Sequence, residues 1–176
     1  VKGLSNSIVI GILASIVSSI VALIFGIAAA VFGKWVDKVV NWGVDLCMGL
    51  PHLVLLMLIS FMLGKGVKGV TIAVALTHWP SLTRIVRSEV MQIRSSQYVQ
   101  AAYKMGISKW KVAVTHIVPH VLPSYLIGLV LLFPHAIMHE ASITFLGFGL
   151  PAEMPAIGVI LSEAMKHLAT GKSVSY

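Results

Sequence analysis

The sequence predicts an all-α fold, a polytopic transmembrane helix bundle, on three observations. Hydrophobic residues make up 57% of the chain and charged residues only 11%, where water-soluble domains carry roughly 25% charge. Mean hydropathy is +0.93. The apolar residues gather into long runs separated by short polar or basic segments, as a hydrocarbon core about 30 Å thick requires. In lipid every backbone group must be satisfied within its own helix. At 176 residues the length suits one membrane-spanning domain over 1–176.

The first span covers about 8–32 and carries no charge. Its Ser15, Ser18, Ser19 and Ala22 fall in small-xxx-small spacing, which suits close helix packing in a membrane. A short polar segment, Gly33 to Lys38, leads to a second span over about 39–63, containing Asn41, Asp45 and Pro51. After the loop from Gly64 to Gly69, a third span covers about 70–90. It runs apolar to Thr83 and continues into water through Arg84, Arg87 and Glu89, with Pro80 inside it. A fourth span covers about 121–146. The segment at about 150–168 is interrupted by Glu163 and Lys166 and is too short to cross, so it is expected to be re-entrant or interfacial.

Lys34, Lys38, Arg84, Arg87, Arg94, Lys104, Lys109 and Lys111 fall on one side, against Lys2, Lys65 and Lys68 on the other. The positive-inside rule then places the loop at about 91–118 in the cytoplasm. The net charge of +7 reports this topology, and nucleic-acid binding is not expected. Cys47 is alone, so neither a disulfide framework nor a CxxC metal site is available.

That polar loop is the most informative stretch. Gln97 to Met105 is expected to form a short helix, ended by Gly106 in the left-handed conformation. Ser108 is placed to cap a second helix beginning at Lys109, and Pro119 disturbs that helix where the chain re-enters the membrane. Ala101 and Ala102 offer a flat, small-residue face, with Tyr98, Tyr103 and Trp110 as amphipathic anchors. Two readings stay open on physics alone: a face gripped by a soluble partner, or an amphipathic hairpin on the lipid surface.

The run Tyr98-Val99-Gln100-Ala101-Ala102, Gly106, then His116-Ile117-Val118-Pro119 and Leu122-Pro123, resembles the EAA loop of ABC-importer permeases, in the dipeptide, oligopeptide and nickel branch. Trp35-Val36-Asp37, Asp45 with Pro51, Trp79-Pro80, Arg84 to Val90, and Glu140-Ala141-Ser142-Ile143-Thr144-Phe145-Leu146-Gly147-Phe148-Gly149 agree in the same order. The resemblance implies a cytoplasmic coupling helix, with Tyr98, Gln100, Ala101, Ala102, Gly106 and Pro119 in the ATPase-coupling loop. It implies separate ABC ATPase subunits that carry ATP and Mg, a second permease subunit in a heterodimer, an extracytoplasmic substrate-binding protein, and residence in the cell's inner (cytoplasmic) membrane. The cargo would be peptides or nickel. Gln100 stands where glutamate is usual, so the helix is implied and a salt bridge from it is not. His120 stands where asparagine is common. The family has a span before Val1 and another after Leu168, so a partial permease is expected. The competing class is a non-transporting membrane scaffold or lipid-surface-binding protein.

No enzyme chemistry is expected in this chain. Gly171-Lys172-Ser173 echoes the end of a P-loop, but the glycine required five residues earlier is Lys166. His139-Glu140-Ala141-Ser142-Ile143 is not HExxH, so zinc hydrolysis has no support. His116 with His120, and His135 with His139, are spaced to share a helix face. Interfacial hydrogen bonding is preferred over the alternative, a transient path for nickel or another transition metal with Glu140 beside the second pair, and no metal or bound cofactor is assigned. Ionisable groups at membrane depth usually face a cavity or a partner, so Glu140, His135, His139 and Asp45 are candidates for a translocation path or substrate contact. The alternatives are that Glu140 hydrogen-bonds to backbone at a helix break, and that Asp45 pairs with a basic residue or caps a helix.

Overall fold

A charge-free run as long as the first one has no reason to stop turning, and in the computed structural model, which describes residues 2–170, it forms helix α1, Lys2–Val31. The tail with Gly171-Lys172-Ser173 lies outside the described residues. Helix α1 sorts its residues by size. Ala14, Ser15, Ser18, Ser19, Ala22 and Ala29 are buried, while Val9, Leu13, Val17, Ile20 and Ile24 face outward. That is the packing expected where lipid is the outer solvent and small side chains let backbones approach.

The expected span over 39–63 is broken in two. Helix α2, Lys34–Met48, and helix α3, His52–Met62, meet at a bend of 93°. The cause is Pro51, which stands outside α3 with φ −54° and ψ 120°. Proline has no N–H to donate and disfavours a helical residue before it. Hydropathy stays high across the break, so composition does not reveal it. Helix α2 is amphipathic: Trp35, Val39, Trp42 and Leu46 are exposed while Val44 is buried, a pattern that suits the membrane interface.

Helix α4, Gly66–Arg94, keeps Pro80 in its interior. Thr77, His78, Pro80 and Ser81 in its middle, together with Lys68 and Arg84, leave it outside the helices long and apolar enough to cross a membrane. It buries Val70, Ala73, Val74, Leu82, Val86 and Val90 instead. Helix α5, Gln97–Lys104, precedes helix α6, Lys109–Val112, which runs through a π-helical stretch, Ala113–Ile117, into helix α7, Val118–Phe145. Together Lys109–Phe145 makes 37 continuous residues, about 55 Å at 1.5 Å per residue. The π stretch lies just before Pro119, whose ring crowds the carbonyl of Thr115 and donates nothing to it; widening the helix there relieves both problems. Helix α8, Ile157–Thr170, is too short to cross. Among the described residues no strand forms.

The chain divides into two units. One comprises Pro51–Thr77 with the chain up to Ser15 and from Leu132 onward; its core gathers Ile10, Leu56, Val70, Val74, Ile143 and Leu150. The other comprises Ile16–Leu50 and His78–Leu131. Within it, a Cβ on Gly26 would lie 2.6 Å from Val86 Cγ1 and 3.2 Å from the Arg87 backbone nitrogen. Valine is stiff at χ1 and cannot swing aside. Gly26→Ala should therefore destabilise the detergent-solubilised protein by about 1–3 kcal/mol in a thermal unfolding assay. Gly43→Ala, whose Cβ would meet the Trp79 ring at 3.6 Å, should be tolerated.

Candidate functional site

The polar loop is built on the end of α4. Arg94 donates to the carbonyl of Ala30 at 2.5 Å, fixing where α4 stops. Ser96 then adopts extended backbone, φ −66° and ψ 149°, and α5 begins. The Gln100 amide donates back to the Arg94 carbonyl at 2.9 Å. Gln100 therefore braces its own helix against α4.

Helix α5 is amphipathic on a small scale. Val99 and Ala102 are buried; Tyr98, Gln100, Ala101 and Lys104 are exposed, and Met105 just beyond it is 78% exposed. Only Ala101 of the alanine pair faces outward, because consecutive helical residues point about 100° apart. Gly106 takes φ +80°, and its N–H donates to the Tyr103 carbonyl at 3.1 Å while Ile107 donates to Ala102 at 3.2 Å. The Ser108 hydroxyl accepts from the Lys111 N–H at 3.3 Å and opens α6. The Tyr98 ring lies 6.2 Å from His116 and 6.3 Å from His120. Tyr98 and His120 line a cavity of ≈ 330 Å³ with Glu89 and Gln92. Pro119 is exposed.

Two ion pairs hold α2 to α4 in the same unit. Arg87 grips Asp37 with two nitrogens, Nη2 reaching Oδ2 at 2.7 Å, and Asn41 donates to Asp37 Oδ1 at 2.8 Å. Arg84 reaches Asp45 at 2.7 Å, with side chains 49% and 68% exposed. Asp45 thus holds a basic partner at the surface. The Arg87 hydrogen bonds hold the Asp37 carboxyl below its usual range, against a smaller opposing effect of burial.

In the other unit, His139 lies 6.5 Å from His135 and only 4.5 Å, ring to ring, from His52. No spacing in the sequence joins His52 to His139; it takes the turn at Pro51 to bring them together. Glu140 is fully buried, so it lines no open surface. A cavity of ≈ 530 Å³ is lined by Lys65, Thr144, Gly147, Gly149, Glu163 and Lys166 among others. Lys65 carries φ +55°, donates to the Gly147 carbonyl at 3.1 Å and lies 5.2 Å from the Phe148 ring centre.

Residues 22–175 match the family model described as "Binding-protein-dependent transport system inner membrane component". The chain is 31% identical over 166 residues to the oligopeptide transport system permease protein OppC of Bacillus subtilis, covering 94% of this chain and 54% of that protein. It is 26% identical over 169 residues to the dipeptide transport system permease protein DppC of the same organism, covering 96% and 53%. The DppC of Lactococcus lactis subsp. cremoris is 27% identical over 168 residues, covering 96% and 49%. The chain spans about half the length of the curated relatives it matches.

Proposed function

This chain belongs to the family of binding-protein-dependent transport system inner membrane components, and from that premise we propose that it forms part of the translocation path of an ATP-driven ABC importer for peptides. Peptide is favoured over nickel because the relatives named above are oligopeptide and dipeptide permeases. In this reading the chain crosses the inner membrane several times and binds no cofactor. Separate ATPase subunits hydrolyse ATP, a second permease subunit completes the path, and an extracytoplasmic binding protein delivers the cargo.

The observation that carries the reading is the build of α5. It is a short helix locked inward by Val99 and Ala102 and braced by Gln100 against the end of α4. It presents Ala101, Lys104 and Met105 to whatever lies outside. A push on such a helix reaches α4 through Arg94 and Gln100 and reaches the long helix α6–α7 through the Ser108 turn. That makes α5 a rigid handle for alternating access, in which closure of the partner ATPases tilts the helices around the path.

The experiment is a charge at the outward position. Ala101→Glu should reduce peptide uptake and binding-protein-stimulated ATPase activity more than tenfold, with membrane insertion unchanged. Ala102 is only 6% exposed, so a charge there would disturb packing and is the poorer probe. Undiminished uptake by Ala101→Glu would remove the docking assignment. Loss of binding to anionic vesicles, with ATPase binding intact, would favour the scaffold or lipid-surface class.

A further inference from the structure

Helical threonines in this chain follow one habit. Thr71, Thr77, Thr83 and Thr115 each donate their hydroxyl to the backbone carbonyl four residues earlier. Thr144 breaks the habit. Its hydroxyl donates to the side-chain Oε1 of Glu140 at 2.8 Å. The Thr144 oxygen then accepts from the Leu150 backbone N–H at 3.1 Å.

The sequence 146–156 that follows is held at several points, among them Lys65 on the Gly147 carbonyl and Asn6 on the Pro155 carbonyl. Gly147 takes φ +82°, and Phe148 donates to the Ile143 carbonyl at 2.9 Å. Ser60 donates to the Phe148 carbonyl at 2.8 Å, and the Gly66 N–H to Gly149 at 3.1 Å. The path beside Thr144 is narrow. A Cβ on Gly149 would lie 2.1 Å from Thr144 Oγ1, and one on Gly158 would lie 2.7 Å from Thr144 Cβ. Thr144 leaves no room for a side chain at Gly149, and at Gly158 the Ala141 carbonyl, 2.3 Å from such a Cβ, crowds it more closely still; Thr144, Gly147, Gly149 and Leu150 all line the cavity of ≈ 530 Å³. Glu140 Oε2 makes no hydrogen bond among the described residues. A carboxyl group buried in an apolar unit with one oxygen so placed contributes little as a packing element.

We propose that Glu140 is a positioning residue: it draws the Thr144 hydroxyl off the backbone and aims its oxygen at Leu150, holding the loop 146–156 as the wall of that cavity. Without an acceptor at position 140, the Thr144 hydroxyl returns to the carbonyl of residue 140, as the other threonines do. The Leu150 N–H then loses the geometry that holds it. The loop then loses the hold at Leu150, while Lys65, Ser60 and Gly66 keep 147–149 and Asn6 keeps the Pro155 carbonyl. The consequence for uptake rests on the permease reading; the consequence for the loop does not.

The test uses the full-length permease in its transporter, with Cys47→Ser and a reporter, Ala152→Cys, on the exposed loop. A soluble maleimide is applied to opened membranes, so that labelling does not depend on which face the loop occupies. Glu140→Ala and Thr144→Val should label at least fivefold faster than the parent. Glu140→Gln keeps an acceptor oxygen and Thr144→Ser keeps the hydroxyl, and both should label at the parent rate. In uptake assays the first two should raise the KM for peptide several-fold with kcat less affected, and the conservative pair should restore it. Parent-rate labelling in Glu140→Ala and Thr144→Val would overturn the proposal. So would Glu140→Gln behaving as Glu140→Ala, because charge and not hydrogen bonding would then be the agent. Labelling that follows the expected pattern in a protein with no ATP-driven uptake would leave the positioning role standing and sink the permease reading.

Discussion

Gly106→Pro should lower uptake more than tenfold while the protein still reaches the membrane in normal amount. Gly106 sits at φ +80°, and the proline ring holds φ near −65°, so the chain cannot leave α5 along its native course. The substitution also deletes the N–H that donates to the Tyr103 carbonyl. Both losses fall on the one turn that sets the direction of α5 relative to the Ser108 cap. Gly106 is exposed, with nothing within 4 Å of an added Cβ, so no core is damaged. The fault is confined to the handle. Gly106→Ala keeps the N–H and meets only the strain of a left-handed alanine, about 1 kcal/mol, and should lose at most a few-fold. Uptake of labelled peptide, normalised to membrane-localised protein by immunoblot, separates the two. Normal uptake by Gly106→Pro would mean that the shape of this turn does not couple to transport.

What the sequence made legible follows from the range over which each signal acts. Helix α1 is a local fact, because an uncharged run with small residues on one stripe states both its length and its packed face. The end of α5 is local too, since a glycine two residues past the last helical position carries its own explanation. The bend at Pro51 is written in the sequence, but high hydropathy on both sides masks it when runs are read by composition alone. The outward face of α5 needed three dimensions: Ala101 and Ala102 are equivalent as residue types, and only the packing of Val99 decides which is buried. The fate of Glu140 was the least legible. A carboxylate at membrane depth suggests a path for cargo, and nothing local in the sequence announces its hydrogen bond from Thr144 or the one Thr144 accepts from Leu150. His52 against His139, and Ser60 against Phe148, are long-range meetings that no periodicity announces.

Arg87→Ala should be the most destabilising loss of a single charge in the unit that carries α5. The Arg87 and Asp37 side chains are 25% and 28% exposed, and the contact is bidentate, the geometry in which arginine is worth most. Exposed pairs contribute roughly 0–1 kcal/mol, while breaking a buried pair costs about 3–5 kcal/mol because one charge is left without compensation. A half-buried bidentate pair falls between, at about 2 kcal/mol. Arg84→Ala breaks a single, more exposed contact to Asp45 and should cost about 0.5 kcal/mol. A double-mutant cycle on Asp37 and Arg87 isolates the pair term. The sign with pH is fixed by Asp37. Its folded pKa is lowered from the usual 3.8, chiefly by the Arg87 hydrogen bonds, so its stabilisation is fully present above that value. It is lost as pH falls through the folded pKa below it. Thermal unfolding in detergent should therefore show wild type and Asp37→Asn separated by a constant gap at neutral pH that closes in this acid range. Equal losses for Arg87→Ala and Arg84→Ala would show that α2 is held to α4 by apolar contact at Val44 and the Trp79 face of Gly43, with the charges contributing little to stability.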